Sequence, residues 1–250
     1  MDGLTALITG GGSGIGLATA RTMLERGANV MIVGRDQKKL VAAAESLGHE
    51  GKLKFMAGDV SSEGYANKLV KDTVKAFGKL DILINNAGVF RNLNILEMDE
   101  DEFDYDISNN LKGTWFMCKF GAKAMLASGG SIVNISSLLA KQALPGVPSS
   151  AYSAAKAGII GLTHALAIEL APHKIRVNVV LPAVIRTPIL AAGMGDEMTA
   201  KIIERGKKLY PMGRVGEAED VARAIVFLAD PVNAWITGTE LTVDGGISNC

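Results

Sequence analysis

Thr9-Gly10-Gly11-Gly12-Ser13-Gly14-Ile15-Gly16 closes an apolar run over residues 4–9 and opens a helical pattern over residues 14–27. Glycines let a backbone turn tightly and bring its N–H groups against an anion, and a helix N-terminus adds a positive field. The spacing is Gly10-xxx-Gly14-x-Gly16 rather than a strict GxGxxG. Its place at the first strand-to-helix junction makes it a candidate cradle for a dinucleotide pyrophosphate, built from Gly10, Gly12, Ser13, Gly14, Ile15 and Gly16.

Outward from that turn the pattern repeats. Apolar runs over residues 4–9, 29–33, 53–57, 81–85, 131–135, 176–181 and 240–243 alternate with stretches of helical spacing. One such stretch carries Tyr65, Leu69, Val70, Val74 and Phe77 and stops at Gly78. Near-continuous apolar strands separated by helices imply a parallel sheet covered on both faces. The expectation is one doubly wound α/β domain over residues 1–250, with a mostly parallel seven-stranded sheet. Residues 187–216 are the least regular part and read either as a flexible substrate lid or as an ordinary surface excursion.

Composition narrows the function. Lysine plus arginine and aspartate plus glutamate number 26 each, so neither nucleic acid nor an anionic membrane is expected as the main partner. Cys118 and Cys250 are far apart and exclude a disulfide framework. His49, His164 and His173 lack metal-ligand spacing, so no metal is expected. No uninterrupted apolar run approaches the roughly 18 residues of a membrane span, and no leader pattern precedes the first strand. The expectation is a cytoplasmic protein.

The second strand runs out into Gly34-Arg35-Asp36. An acidic residue about 20 positions beyond the glycine turn holds a ribose 2′-hydroxyl, whereas an arginine there suits a 2′-phosphate. Gly34 places no carboxylate at the strand end, and Arg35 offers a fork of donors. Asp36 either accepts from a bare ribose or caps the helix over residues 37–47. Capping is the preferred reading, and with it NADP over NAD.

Tyr152-Ser153-Ala154-Ala155-Lys156 sets a phenol and an ammonium one helical turn apart on one face. A neighbouring ammonium favours the phenolate and is expected to lower the tyrosine pKa toward the working range. Ser136-Ser137 and Asn85-Asn86-Ala87-Gly88 follow two strands at the carboxyl edge, where open α/β sheets hold ligands.

Taken together these stretches resemble the short-chain dehydrogenase/reductase family over nearly the whole chain. The resemblance extends through Asp59-Val60, Asn110-Leu111-Lys112-Gly113, Ile175-Arg176-Val177-Asn178, Pro182, Thr187, Gly213-Arg214-Val215-Gly216, Asp220-Val221-Ala222, Thr237-Gly238 and Val243-Asp244-Gly245-Gly246. It implies Tyr152 as general acid/base, Lys156 on the nicotinamide ribose, Ser137 on the substrate oxygen and Asn110 anchoring a water in a proton relay. It implies Asp59 and Val60 at adenine, Asn86, Ala87 and Gly88 near the ribose, and Pro182, Ile185 and Thr187 around the carboxamide. It also implies a homotetramer, built through the helix over residues 152–171 and the last strand. Ala183, Ala140 and Ser13 depart from the family pattern, and the segment over residues 138–151 is slightly longer than usual and would wall the substrate pocket.

The resulting expectation is an NADP(H)-dependent oxidoreductase that interconverts a small-molecule ketone and a secondary alcohol. Two alternatives stay open: reduction of 3-oxoacyl groups on an acyl carrier protein, and an NAD-dependent alcohol or sugar dehydrogenase. A reductase for an acidic carrier needs a basic rim, for which Arg91, Lys141 and Arg186 are the candidates. Phe90-Arg91-Asn92 stands where the carrier-protein reductases tend to have an Arg-Asp pair. A silent nucleotide-sensing protein is disfavoured, because all four catalytic positions carry competent residues.

Overall fold

A computed structural model describes residues 1–250. Seven strands form one sheet: β1 (Thr5–Thr9), β2 (Asn29–Gly34), β3 (Leu53–Ala57), β4 (Ile82–Asn85), β5 (Gly130–Ile135), β6 (Ile175–Pro182) and β9 (Glu240–Val243). Their order is β3-β2-β1-β4-β5-β6-β9, and every pairing is parallel. The chain runs from β1 outward to β3, then returns to the other side of β1. That reversal opens a crevice at the carboxyl ends of β1 and β4, where Thr9 is in register with Val33 on one side and Asn85 on the other.

Side chains alternate across the strands. Ala6 and Ile8 pack under α1 (Gly14–Glu25) and α9 (Ala218–Ala229), with Met23, Val221 and Ile225 in the same layer. Leu7 points the other way, toward Leu69 of α3 (Glu63–Phe77) and Met117 of α5 (Gly113–Met125). Helix α2 (Gln37–Leu47) covers the β2–β3 end and buries Leu40 and Ala43.

Helix α6 (Ser150–Leu170) and the turn after it, Ser150–His173, are by length and composition alone long and apolar enough to cross a membrane. The sequence reading missed this because Lys156, Thr163, His164 and Glu169 interrupt every apolar run. In the fold α6 lies along β6 and buries Ala155, Lys156, Ile159, Thr163 and Ala167 on that side, while its opposite face, with Ile168 79% exposed, stays open.

The irregular stretch resolves into α7 (Pro188–Met194) and α8 (Asp196–Leu209), joined at Gly195 with φ +78°. Both ends of the excursion are pinned by a two-stranded parallel ribbon, β7 (Ile185–Arg186) on β8 (Gly216–Glu217). The remaining helix, α4 (Glu100–Ile107), begins with a capping box in which Asp99 and Glu102 satisfy each other's backbone N–H groups.

Candidate active site

The crevice is a cleft of about 690 Å³. At its floor Thr9 and Asn86 close the glycine turn. The Thr9 hydroxyl accepts from the backbone N–H groups of Asn86 and Ala87, each at 3.0 Å. Asn86 Nδ2 donates to the carbonyls of Thr9 at 3.1 Å and Gly10 at 3.2 Å. A Cβ on Gly16 would collide with the Gly10 carbonyl oxygen, and Gly10 itself needs φ +68°. These two glycines let α1 start directly against the turn.

The pyrophosphate candidates Gly10, Gly12, Ser13, Gly14 and Ile15 line the cleft, while Gly16 stands behind them. Ser13 makes no side-chain bond to the first turn of α1. The N–H groups of that turn, which have no acceptor inside a helix, are left for an anion. At the end of β2 a Cβ on Gly34 would meet only the Leu40 side chain, with Cδ2 nearest at 3.6 Å. These observations fit a nicotinamide dinucleotide laid across the carboxyl edge.

Asp36 Oδ1 accepts from the N–H groups of Lys38 at 2.9 Å and Lys39 at 3.2 Å, the capping geometry expected of it. Arg35 Nη1 reaches Asn109 Oδ1 at 3.0 Å and the Tyr105 hydroxyl at 3.3 Å across the mouth of the cleft. Lys39 also lines this end, a second cation that sequence reasoning passed over. Asp59 and Val60 line it too, with Asp59 Oδ1 accepting from Ser61 N at 2.9 Å. Asn86, Ala87, Gly88, Pro182, Ile185 and Thr187 also line the cleft, Ala87 beside Gly10 and Thr187 beside Gly14.

The chemistry-bearing side chains meet where β5 ends. Ser136 turns inward and donates to the Lys156 carbonyl at 2.7 Å. Both serines line the cleft, but only the Ser137 hydroxyl keeps its proton free, accepting from Leu139 N at 3.1 Å. Tyr152 faces it from the first turn of α6, with the Phe90 ring edge-on at 5.1 Å. Lys156 is 4% exposed; its Nζ donates to the Ile135 carbonyl at 2.8 Å and lies 5.6 Å from the Tyr152 ring centre.

The electrostatics differ from the sequence expectation. Burial pushes Tyr152 up to about 12, the Ser137 hydroxyl pulls the other way, and the Asp106 carboxylate adds to the rise. Burial holds Lys156 down to about 8. Without a cofactor, desolvation outweighs the help Lys156 was expected to give the phenolate.

Asn110 does not line the cleft. It sits in a single π-helical turn, Ser108–Lys112, that breaks the helix between α4 and α5. Its side chain accepts from Val89 N at 3.1 Å and donates to the Asp106 carbonyl at 2.9 Å. A Cβ on Gly88 would fall 2.7 Å from Asn110 Oδ1 and 3.5 Å from Lys156 Nζ, which places these three residues together. Asn85 also turns away from the ligand edge. It starts a buried chain in which Asn85 Nδ2 donates to Asn134 Oδ1 and Asn134 Nδ2 to Thr163 Oγ1, each at 2.9 Å.

Residues 10–248 match a family model described as enoyl-(acyl carrier protein) reductase. The chain is 38% identical to a 3-oxoacyl-(acyl-carrier-protein) reductase of Chlamydia pneumoniae, over 98% of this chain and 97% of that protein. It is 37% identical to a (3R)-3-hydroxyacyl-CoA dehydrogenase of Canis lupus familiaris, over 97% and 95%. A solved short chain dehydrogenase/reductase family protein superposes with a TM-score of 0.84 at 37% identity, covering 99% and 98% of the two chains. The chain belongs to the short-chain dehydrogenase/reductase family. It is an oxidoreductase acting on CH–OH groups, in a family that uses nicotinamide dinucleotides.

Within this short-chain dehydrogenase/reductase two features escaped the sequence reading. Asp106 is fully buried, with Oδ1 on Arg91 Nε at 3.1 Å and Oδ2 without a partner. Arg91 lines the cleft and stacks on the Tyr105 ring, so Asp106 fixes it in place from behind. The apolar wall is the second feature: Phe90, Leu138, Leu139, Leu144, Val147, Val184 and Leu209 surround the space before Tyr152 and Ser137. Only the residues of the 138–151 segment carried a sequence signal for it.

The depressed Lys156 has a consequence for stability. The free amine titrates at 10.5, so between about 8 and 10.5 the unfolded chain binds the extra proton. Below that window burial of the cation weighs fully against the fold, by at most roughly 3 kcal/mol, and the penalty fades as pH rises through it. Cofactor-free Lys156→Met is therefore expected to melt several degrees above the unmodified protein near pH 7, with the gap closing near pH 10. Calorimetry at both pH values checks this; an equal or lower melting temperature at neutral pH would contradict it.

Proposed function

We propose that the protein reduces an apolar ketone to a secondary alcohol with NADPH, and runs the reverse reaction with NADP. The juxtaposition of Tyr152, Ser137 and Lys156 against an apolar wall carries this reading. When bound, the cofactor supplies the hydride. Tyr152 is protonated at neutral pH, as a free phenol is, and burial raises it further; this is the form that gives a proton to a ketone oxygen. Ser137 donates to the same oxygen and steadies its developing charge. Lys156 is the cation nearest the phenol and favours the phenolate left behind. Asn110 acts through Val89 N and the Asp106 carbonyl, holding the loop after β4 beside Lys156.

For the 2′-phosphate end, Arg35 and Lys39 supply positive charge, and the Asp36 carboxylate is engaged in capping α2. Pro182, Ile185 and Thr187 would flank the nicotinamide, and Asp59 with Val60 the adenine.

The names of the relatives favour an acyl thioester as an alternative substrate. The basic rim an acidic carrier protein would need is weak, because each candidate cation is paired. Arg91 is held by Asp106, Lys141 by Glu240 and Arg186 by Glu217. A free ketone needs no such rim. The segment over residues 187–216 serves as a lid in this reading, because its two helices line the cleft while the β7–β8 ribbon pins its base.

Three outcomes are expected. Tyr152→Phe keeps the ring and loses the proton, so turnover in a spectrophotometric ketone screen falls roughly 10²-fold or more with cofactor still bound; near-normal turnover removes Tyr152 from the role. Gly34→Asp with Arg35→Ala weakens NADPH binding roughly 10- to 150-fold and spares NADH; an unmodified protein that already prefers NADH by about tenfold in kcat/KM would make the NADP assignment wrong. Amide exchange in α7 and α8 is faster than in β5 without ligand and slows when cofactor and ketone bind; equal protection at the outset argues against a lid.

A further inference from the structure

Helix α8 crosses the outer wall of the cleft, and its polar face is charge-balanced within itself. Lys201 pairs with Glu197 and Lys207 with Glu204, each at 2.6 Å. The other face carries Ile202, Arg205, Gly206 and Leu209, spaced i, i+3, i+4 and i+7, and all four line the cleft. Three of these fit an apolar wall. Arg205 does not, and it forms neither an ion pair nor a hydrogen bond with the protein.

The position of Arg205 along the cleft follows from how α8 is anchored. Tyr210, one residue past the helix, accepts from Val184 N at 3.1 Å through its hydroxyl. A Cβ on Gly206 would press on Val215, so the last turn of α8 is packed close to the strand ribbon. Arg205 therefore belongs with Val184, Tyr210 and Ile247, at the end remote from the adenosine side. The carboxylates that line the cleft, Asp36 and Asp59, are both at the adenosine side. The other cations of the lining serve elsewhere: Arg35 and Lys39 belong to the 2′-phosphate end proposed above, Arg91 is held by Asp106, and Lys156 is buried.

An unpaired guanidinium on an apolar, cleft-facing stripe is the arrangement that binds an amphipathic anion. We propose that the substrate is an apolar ketone or alcohol bearing a carboxylate or phosphate at the end remote from the reacting carbon, and that Arg205 anchors that anion. The proposal rests on the ketone–alcohol reading above and adds the charge of the substrate and the residue that selects it. Because α8 lies in the candidate lid, the same contact would hold the lid down over a correct substrate.

Matched ketones test it: octan-2-one, 7-oxooctanoate and 6-oxoheptyl phosphate share a reacting end and differ at the tail. Wild-type kcat/KM is expected to favour an anionic tail over the methyl, and the better of the two anions tells carboxylate from phosphate. In Arg205→Ala the ratio of anionic to neutral kcat/KM falls roughly 10- to 150-fold, chiefly through KM, and Arg205→Lys recovers part of it. A ratio of the two substrates does not depend on how much of a variant folds. An unchanged ratio overturns the proposal, as does a variant that loses NADPH affinity instead, because Arg205 would then serve the cofactor. If no ketone turns over, the ketone reading fails, and calorimetric binding of octanoate still decides the anion site. Binding weakened tenfold or more, to order of magnitude, by Arg205→Ala supports the site; equal binding overturns it.

Discussion

The hydrogen bonds between Thr9 and Asn86 hold together the point on which the rest of the molecule depends. β1 and β4 are neighbours in the sheet but lie 75 residues apart in sequence, and the crevice exists because the chain reverses between them. Two backbone N–H groups on the Thr9 hydroxyl and two carbonyls on the Asn86 amide tie their ends at a fixed separation. That tie sets where α1 begins, and so where an anion meets its N-terminus. It also sets where the loop after β4 carries Gly88 and Phe90, which touch the surroundings of Lys156 and Tyr152.

From that point a line of polar contacts runs into the interior. Asn85, Asn134 and Thr163 connect β4, β5 and α6 through bonds that water cannot reach. Asn85 Oδ1 is left without a partner, but the bonds that are made are directional and favour one packing, whereas an apolar core tolerates several. Helix α6 is thereby registered against β5, and its first turn holds Tyr152 over Ser137. Ser136 adds a bond to the Lys156 carbonyl, so the second serine alone is free for the cleft. The fold accepts a buried ammonium at Lys156 as part of the same arrangement, at a cost to stability.

The seven strands were legible because strands buried on both faces are continuous apolar runs, and glycines or capping residues mark their ends. The margins moved for local reasons. Asp81 read as strand, but its carboxylate accepts from Thr5 N at 2.7 Å, so it closes the turn before β4. Asp36 was legible as a cap because the helix it starts follows immediately. The π-helical turn at Ser108–Lys112 was not, because no residue type announces an i→i+5 bond. Nor was the Arg91–Asp106 pair, since a buried carboxylate 15 residues from its partner leaves no local pattern. The stripe Ile202, Arg205, Gly206 and Leu209 was readable in principle. It was passed over because the segment's glycines and prolines drew attention to its joints and away from its periodicity.

The distribution of charge gives the cleft a direction. The side formed by the end of β2 and the loop after β3 mixes the cations Arg35 and Lys39 with Asp36 and Asp59, a polar surface. The cleft's middle has one ammonium, buried and held low, beside a phenol held high. Its far side, around Val184, Leu209 and Ile247, carries Arg205 as its one charged residue. Because dielectric screening is weakest in the buried middle, a charge arriving there changes Tyr152 more than one arriving at either exposed end. The acid strength of Tyr152 is therefore set by what binds next to it, and the protein alone leaves the group protonated.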